Sequence, residues 1–208
     1  MIANVRRGAV LALVLLAVSA PAVRPLDSSD EARTIEALGL RPGMRVADVG
    51  AGNGEWAERL SREVGETGRV YATEVDRDKL QQIEARVKDA HLGNVTSLLG
   101  TQEDTGLPAG CCDAILLRMV YHHFADPPRM RASLRSALRR GAPLVVIDTE
   151  PQPNWRHLDG VPDRGGHGIR EDDLLREMTG DGFEVAARHD HWPGDGERYC
   201  VVFRRTEG

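Results

Sequence analysis

The chain has 208 residues, 41% hydrophobic, 28% charged and 4% aromatic, a composition that suits one globular domain whose core forms without staples. Its formal charge of -5 becomes -7 once Arg6 and Arg7 in the first 22 residues are set aside, which argues against the clustered Lys/Arg surface that nucleic acid requires. Three cysteines are too few for a disulfide framework and no CxxC occurs, so no structural zinc is expected; the vicinal pair Cys111-Cys112 is expected unbonded because its ring is strained.

Residues 1–22 combine two arginines, an apolar run over 9–20 and the small-x-small triplet Ala20-Pro21-Ala22, the pattern of a secretory signal. The run is shorter than the roughly 20 apolar residues of a membrane span. Export to the periplasm or beyond is the expectation, with an uncleaved membrane tether as the alternative and membrane contact only through this segment. One domain is expected over 28–208. Ser28, Ser29 and Asp30 offer N-caps to a helix through about residue 38, and Leu40-Arg41-Pro42-Gly43 breaks it before a strand over 45–49. A helix over 55–64, a strand over 70–74, a helix over 77–90 and strands over 95–99 and 113–118 follow. Then come a helix over 128–139, a strand over 143–148, a helix over 171–179 and a final strand pair near 183–188 and 198–204. This alternation, with short turns and no internal repeat, is the signature of an α/β parallel sheet. Arg129, Arg131, Arg135, Arg139 and Arg140 read as a solvated helix face. Residues 151–170 lack periodicity, which in a compact domain marks a lid or binding loop.

The chemistry is concentrated in Val46-Ala47-Asp48-Val49-Gly50-Ala51-Gly52-Asn53-Gly54, a buried strand running into three alternate glycines and then a helix. Glycine is needed where the backbone turns with positive φ or must approach a ligand closely. The spacing is G-x-G-x-G, so the dinucleotide fingerprint fails at its third glycine, where Glu55 stands. Glu55 and Glu58 in the first helical turn would repel a pyrophosphate that the helix dipole otherwise attracts. A cofactor with a sulfonium and an ammonium, and no phosphate, tolerates them. About 20 residues beyond the glycines, Glu74 ends the next strand, where a carboxylate can accept both hydroxyls of a ribose. Asp76 competes for that role but by strand phase caps the following helix.

VADVGAGNG, VYATEVD, and LPAGCCDAILLRMVYHHF followed by ALRRGAPLVVID resemble the class I S-adenosylmethionine-dependent methyltransferases over most of residues 35–150. The resemblance implies a Rossmann-like, doubly wound, mostly parallel seven-stranded sheet with helices on both faces, with S-adenosylmethionine as cofactor. It implies that Gly50, Gly52 and Gly54 line the methionine moiety, that Asp48 supports the turn and that Glu74 holds the ribose. The loop Gly100-Thr101-Gln102-Glu103-Asp104 would face the adenine; many relatives place Asp where Thr101 stands, so Gln102, Glu103 and Asp104 remain alternatives for reading its amine. YHHF and the 159–168 loop with its GGHGI also resemble a bacterial subset of exported methyltransferases.

Methyl transfer is an in-line displacement, so acceleration comes mainly from holding the acceptor in line, and a base is needed only for a protonated acceptor. Tyr121, His122 and His123 follow the fourth strand at the edge where the methyl group would project, and a histidine can deprotonate a hydroxyl or amine; packing or capping is the competing reading. Asp148 and Glu150 end the fifth strand and could orient an acceptor. His157 and His167 sit in the long loop, and the glycines around His167 suggest a mobile closing element or a plain turn. Trp155 and Trp192 suit packing or an apolar wall. His189-Asp190-His191 is equally explained by alternation in a terminal strand, and no metal ligand set is expected. The expected activity is methyl transfer to a small molecule rather than to nucleic acid. A non-catalytic binding protein is the main alternative, because the methyl donor is made in the cytoplasm while the export signal places the domain on the far side. A nicotinamide-dependent oxidoreductase is less favoured because of Glu55.

Overall fold

The computed structural model describes residues 28–153, 159–193 and 198–206; the signal pattern over 1–22, Trp155 and His157 lie outside the described residues. Strands β1 (Arg45–Val49), β4 (Ala114–Arg118) and β5 (Pro143–Thr149) each bury four or more successive positions. Such runs are what a parallel strand covered on both faces requires. β2 (Arg69–Glu74) and β3 (Val95–Leu99) extend the sheet on one side, and β7 (Arg198–Arg205) and β6 (Phe183–His189) on the other, in the order β3-β2-β1-β4-β5-β7-β6. β7 runs antiparallel to both neighbours and the remaining pairs are parallel.

Helices α1 (Ser28–Leu38), α2 (Glu55–Val64) and α3 (Arg77–Asp89) bury Leu38, Leu60 and Ile83 against one face of the sheet. α4 (Pro127–Ala137) and α5 (Glu171–Gly180) bury Leu134 and Met178 against the other. The expected Rossmann-like architecture is therefore present, with element ends within a few residues of their sequence positions. The 3-10 turn Tyr121–His123 was not anticipated as an element. From β1 the chain moves outward to β2 and β3, then returns to place β4 on β1's other side. Such a reversal opens a crevice at the carboxyl ends of the strands, where open α/β sheets bind ligands.

Two local readings change. Cys111 and Cys112 form a vicinal disulfide, contrary to the expectation; the Cys112 amide donates to Ala137 O and its carbonyl accepts from Arg139 N, so tertiary contact with the end of α4 sets a geometry that ring strain alone disfavours. The five arginines are not one solvated face. Arg131 is buried, with Nε 2.5 Å from Asp181 Oδ2 and a terminal nitrogen 2.9 Å from Glu177 Oε2, while Arg129 pairs with Glu103 and Arg139 with Asp113. Among the described residues no helix is long and apolar enough to cross a membrane.

Candidate active site

A cleft of about 440 Å³ opens at the crevice, walled by the turns after β1 and β2, the loop after β3, the turn after β4, and Asp159 and Val161 of the loop before α5. At Gly50 the backbone has φ +73°, and a Cβ would lie 2.3 Å from Val120 Cγ2. Only glycine lets the turn after β1 close against the turn after β4. The Gly52 amide donates to Glu74 Oε2 at 2.9 Å, and the amides of Val75 and Asp76 donate to Oε1 at 2.8 and 3.1 Å. Three backbone donors thus fix the carboxylate on the cleft wall, and Oε2, with one bond, retains acceptor capacity. Asp76 caps α3, accepting from the amides of Asp78 and Lys79, as its phase suggested.

Other assigned residues fall outside the cleft lining. Asp48 is buried behind the turn; burial, with the Glu74 charge adding and Arg118 opposing, pushes its carboxyl up to about 7. Its Oδ2 has no hydrogen-bond partner among the described residues. Gly54 caps α2 and packs on Ile83 rather than facing the cleft. In the β3 loop Gln102 and Asp104 line the cleft, whereas Glu103 does not, its carboxylate being held by Arg129. The charge argument against phosphate also weakens, because Glu55 pairs with Arg59 and Glu58 with both Arg62 and Arg86. Position carries it instead: no α2 residue lines the cleft, so the amides of that helix N-terminus are not presented to a ligand there.

On the opposite wall the 3-10 turn divides its three candidates. Tyr121 is not brought to the site; it is fully buried, its hydroxyl donates to Glu177 Oε2 at 2.7 Å and accepts from Arg131 at 2.9 Å. Burial and the Glu177 charge push its hydroxyl pKa well up. His123 lines the cleft. Burial, then repulsion from His122 and His167, lowers its imidazole to about 4, so it is neutral near pH 7. His122 lies behind it, with Nδ1 2.6 Å from Asp148 Oδ1 and Nε2 3.0 Å from His167 Nε2. An Nδ1–H donated to a carboxylate leaves Nε2 as the lone-pair nitrogen.

Sequence reading placed His122, Asp148 and His167 separately and missed their alignment. The available signal was the position of His122 and Asp148 just past or at the carboxyl ends of neighbouring strands β4 and β5, whereas nothing of that kind marked His167 in the loop before α5. The glycines beside His167, expected to form a mobile closing element or a plain turn, make close backbone contacts. At Gly168 φ is +129° and a Cβ would lie 2.4 Å from Thr149 O; at Gly166 a Cβ would lie 2.4 Å from Gln152 O. Gln152 and His167 exchange backbone hydrogen bonds of 2.9 and 3.1 Å. These glycines press His167 onto the end of β5 rather than freeing it.

Sheet order, the glycine turn and the acidic end of β2 together define the class I S-adenosylmethionine-dependent methyltransferase fold. Residues 46–142 match the family model described as a methyltransferase domain. "Ubiquinone/menaquinone biosynthesis C-methyltransferase UbiE" of Shewanella halifaxensis is 30% identical over 121 residues, 57% of this chain and 48% of that protein. The Vibrio cholerae protein of the same name is 28% identical over 116 residues, 55% and 45% of the two chains. This chain therefore spans about half the length of the curated relatives it matches. A S-adenosylmethionine-dependent methyltransferase structure from Aquifex aeolicus superposes with a TM-score of 0.71 at 23% identity, covering 85% of this chain and 90% of that one. The [4+2]-cyclase SpnF superposes at 0.70 and 17% identity, covering 86% and 81%.

Proposed function

We propose that the protein transfers the methyl group of S-adenosylmethionine to a small-molecule acceptor bound between the glycine turn and the histidine wall. The carrying observation is that Glu74 and Gly52 face the same cleft as His123. The cofactor, when bound, supplies a methyl carbon activated by a positively charged sulfur. The residues present fit it: a Cβ at Gly52 would meet nothing within 4 Å, so the turn leaves room for a ligand, and Glu74 Oε2 has acceptor capacity for a ribose hydroxyl. Gln102 and Asp104 stand where a base amine can be read. Acidic side chains around a cationic cofactor are favourable, and an exposed phosphate would meet them unfavourably.

The cleft falls within the size range of small-molecule sites. Relatives named as C-methyltransferases of ubiquinone and menaquinone biosynthesis support a small acceptor. His123 lines the wall facing that acceptor, and His122 is held behind it by Asp148. The 1–22 pattern supports export, with cleavage after residue 22 as the form to be sought by N-terminal sequencing of the cell-envelope fraction. A second reading keeps the fold without methyl transfer. The structural likeness to a [4+2]-cyclase favours keeping it in view, because the fold alone does not choose the chemistry.

Calorimetric titration of the chain with S-adenosylhomocysteine, S-adenosylmethionine and NAD tests the reading. Micromolar binding of the first two, absent for NAD and lost in Gly52→Val and Glu74→Ala, is expected. Binding of NAD alone, or none of the three, overturns it.

A further inference from the structure

Three imidazoles meet where the turn after β4, the end of β5 and the loop before α5 converge. One ring nitrogen from each of His122, His123 and His167 lies within 4.8 Å of the other two. The nearest pair, His122 Nε2 and His167 Nε2, is 3.0 Å apart. Two nitrogens on one ion with bonds of about 2.0–2.1 Å stand about 2.9–3.4 Å apart across octahedral to tetrahedral angles. The pair is therefore already at the separation that a shared ion imposes.

The surroundings match those of a ligand set. His122 turns its other ring nitrogen to Asp148 Oδ1, the carboxylate–histidine pairing that orients a metal-bound imidazole. Asp148 is buried, accepts from the Thr149 amide at 2.8 Å, and its Oδ2 has no hydrogen-bond partner among the described residues. His167 is pressed into place by the close backbone contacts of Gly166 and Gly168. His123 lines the cleft, so one side of the triangle faces the space where an acceptor would bind. A simple hydrogen bond from His167 to His122 would account for two of the rings. It leaves unexplained the third, whose ring centroid lies 4.0 Å from that of His122 and 5.1 Å from that of His167.

We infer that His122, His123 and His167 form a three-histidine site for a divalent first-row transition metal, with Asp148 orienting His122 and a further position open to the cleft. Imidazole donors suit zinc, nickel, iron and copper, and zinc is the reference ion. In the open position the ion takes an oxygen donor of the acceptor: the oxygen–metal bond forms, the oxygen–hydrogen bond breaks and the proton goes to water. That role rests on the proposed methyl transfer; metal binding itself does not.

The test uses the full chain stripped with a chelator, then titrated with Zn²⁺ by calorimetry and with Co²⁺ by its visible d–d absorption, without methyl donor. One equivalent should bind with a Kd of about 1 μM or tighter. His123→Ala and His167→Ala should each weaken binding at least about tenfold, as should Asp148→Asn. His191→Ala, an exposed histidine outside the three-imidazole cluster, should leave binding unchanged; circular dichroism of each variant checks folding. Absence of binding tighter than about 0.1 mM, or binding that survives both His123→Ala and His167→Ala in folded protein, overturns the site. S-adenosylhomocysteine affinity measured on the stripped chain separates the two failures: its loss with metal binding intact overturns the methyltransferase reading alone.

Discussion

The wall of the cleft that carries Gly50, Gly52 and Glu74 is made largely of backbone amides, with Glu74 reaching Gly52 across 22 positions of chain. The facing wall is made of side chains. His122 reaches Asp148 across 26 positions and His167 across 45. Backbone donors on adjacent parallel strands are set by the sheet itself, so the first wall can stay constant while chemistry changes. Side chains on loops after different strands can be exchanged without disturbing the sheet, and that is where specificity is built.

The largest expected effect lies beneath the second wall. Glu177 is shared by Tyr121, Arg131 and Arg164, so it ties the 3-10 turn to α4 and to the loop carrying His167. Glu177→Ala leaves two nearly buried guanidiniums short of their carboxylate and should cost about 3 kcal/mol in denaturant unfolding. Burial pushes the Glu177 carboxyl up, but its hydrogen bonds and charge pairing with Arg164, Tyr121 and Arg131 outweigh it and hold the pKa below the usual range. A depressed carboxyl stabilises the fold above its unfolded value and loses that contribution as pH falls through the folded value. The variant should therefore lose stability at neutral pH and converge on the parent in acid.

A smaller effect is expected at Gly168, where an added Cβ meets Thr149 O at 2.4 Å and Glu150 O at 2.7 Å. Gly168→Ala should cost about 1–3 kcal/mol in thermal unfolding. It should also displace His167 while sparing S-adenosylhomocysteine affinity. If both walls fail together, they are not separable units.

A pH-dependent effect lies behind the first wall. Asp48 has a folded pKa raised to about 7 by burial. A raised carboxyl binds its proton more tightly when folded, so the sign reverses: stability is greatest below the unfolded value near 3.8 and declines as pH rises to about 7. Asp48→Asn should flatten that decline, read as the difference in unfolding midpoint between pH 5 and pH 8.

The fold was legible because strand and helix periods are local, and the meeting of Gly50, Gly52 and Glu74 on one wall because they stand at the ends of consecutive strands. Tyr121 was misread because three successive residues of a 3-10 turn point to different sides, and no periodicity tells which one enters the core. Glu103 and Gly54 were misread because loop side chains choose partners, Arg129 and Ile83, that are distant in sequence. The histidine cluster escaped for the same reason. His122 and His123 are consecutive, but His167 stands 45 positions beyond His122, and its backbone pairing with Gln152 just past β5 is what brings it to them.

One measurement bears most directly on the division of the cleft: S-adenosylhomocysteine titrated calorimetrically into Glu74→Gln and His167→Ala, side by side with the parent chain. Glu74→Gln should weaken binding at least about tenfold through loss of a charge-assisted hydrogen bond, while His167→Ala should stay within about twofold of the parent because its ring contacts with His122 and His123 lie on the acceptor wall. Equal losses in both variants, or a loss confined to His167→Ala, would contradict the account.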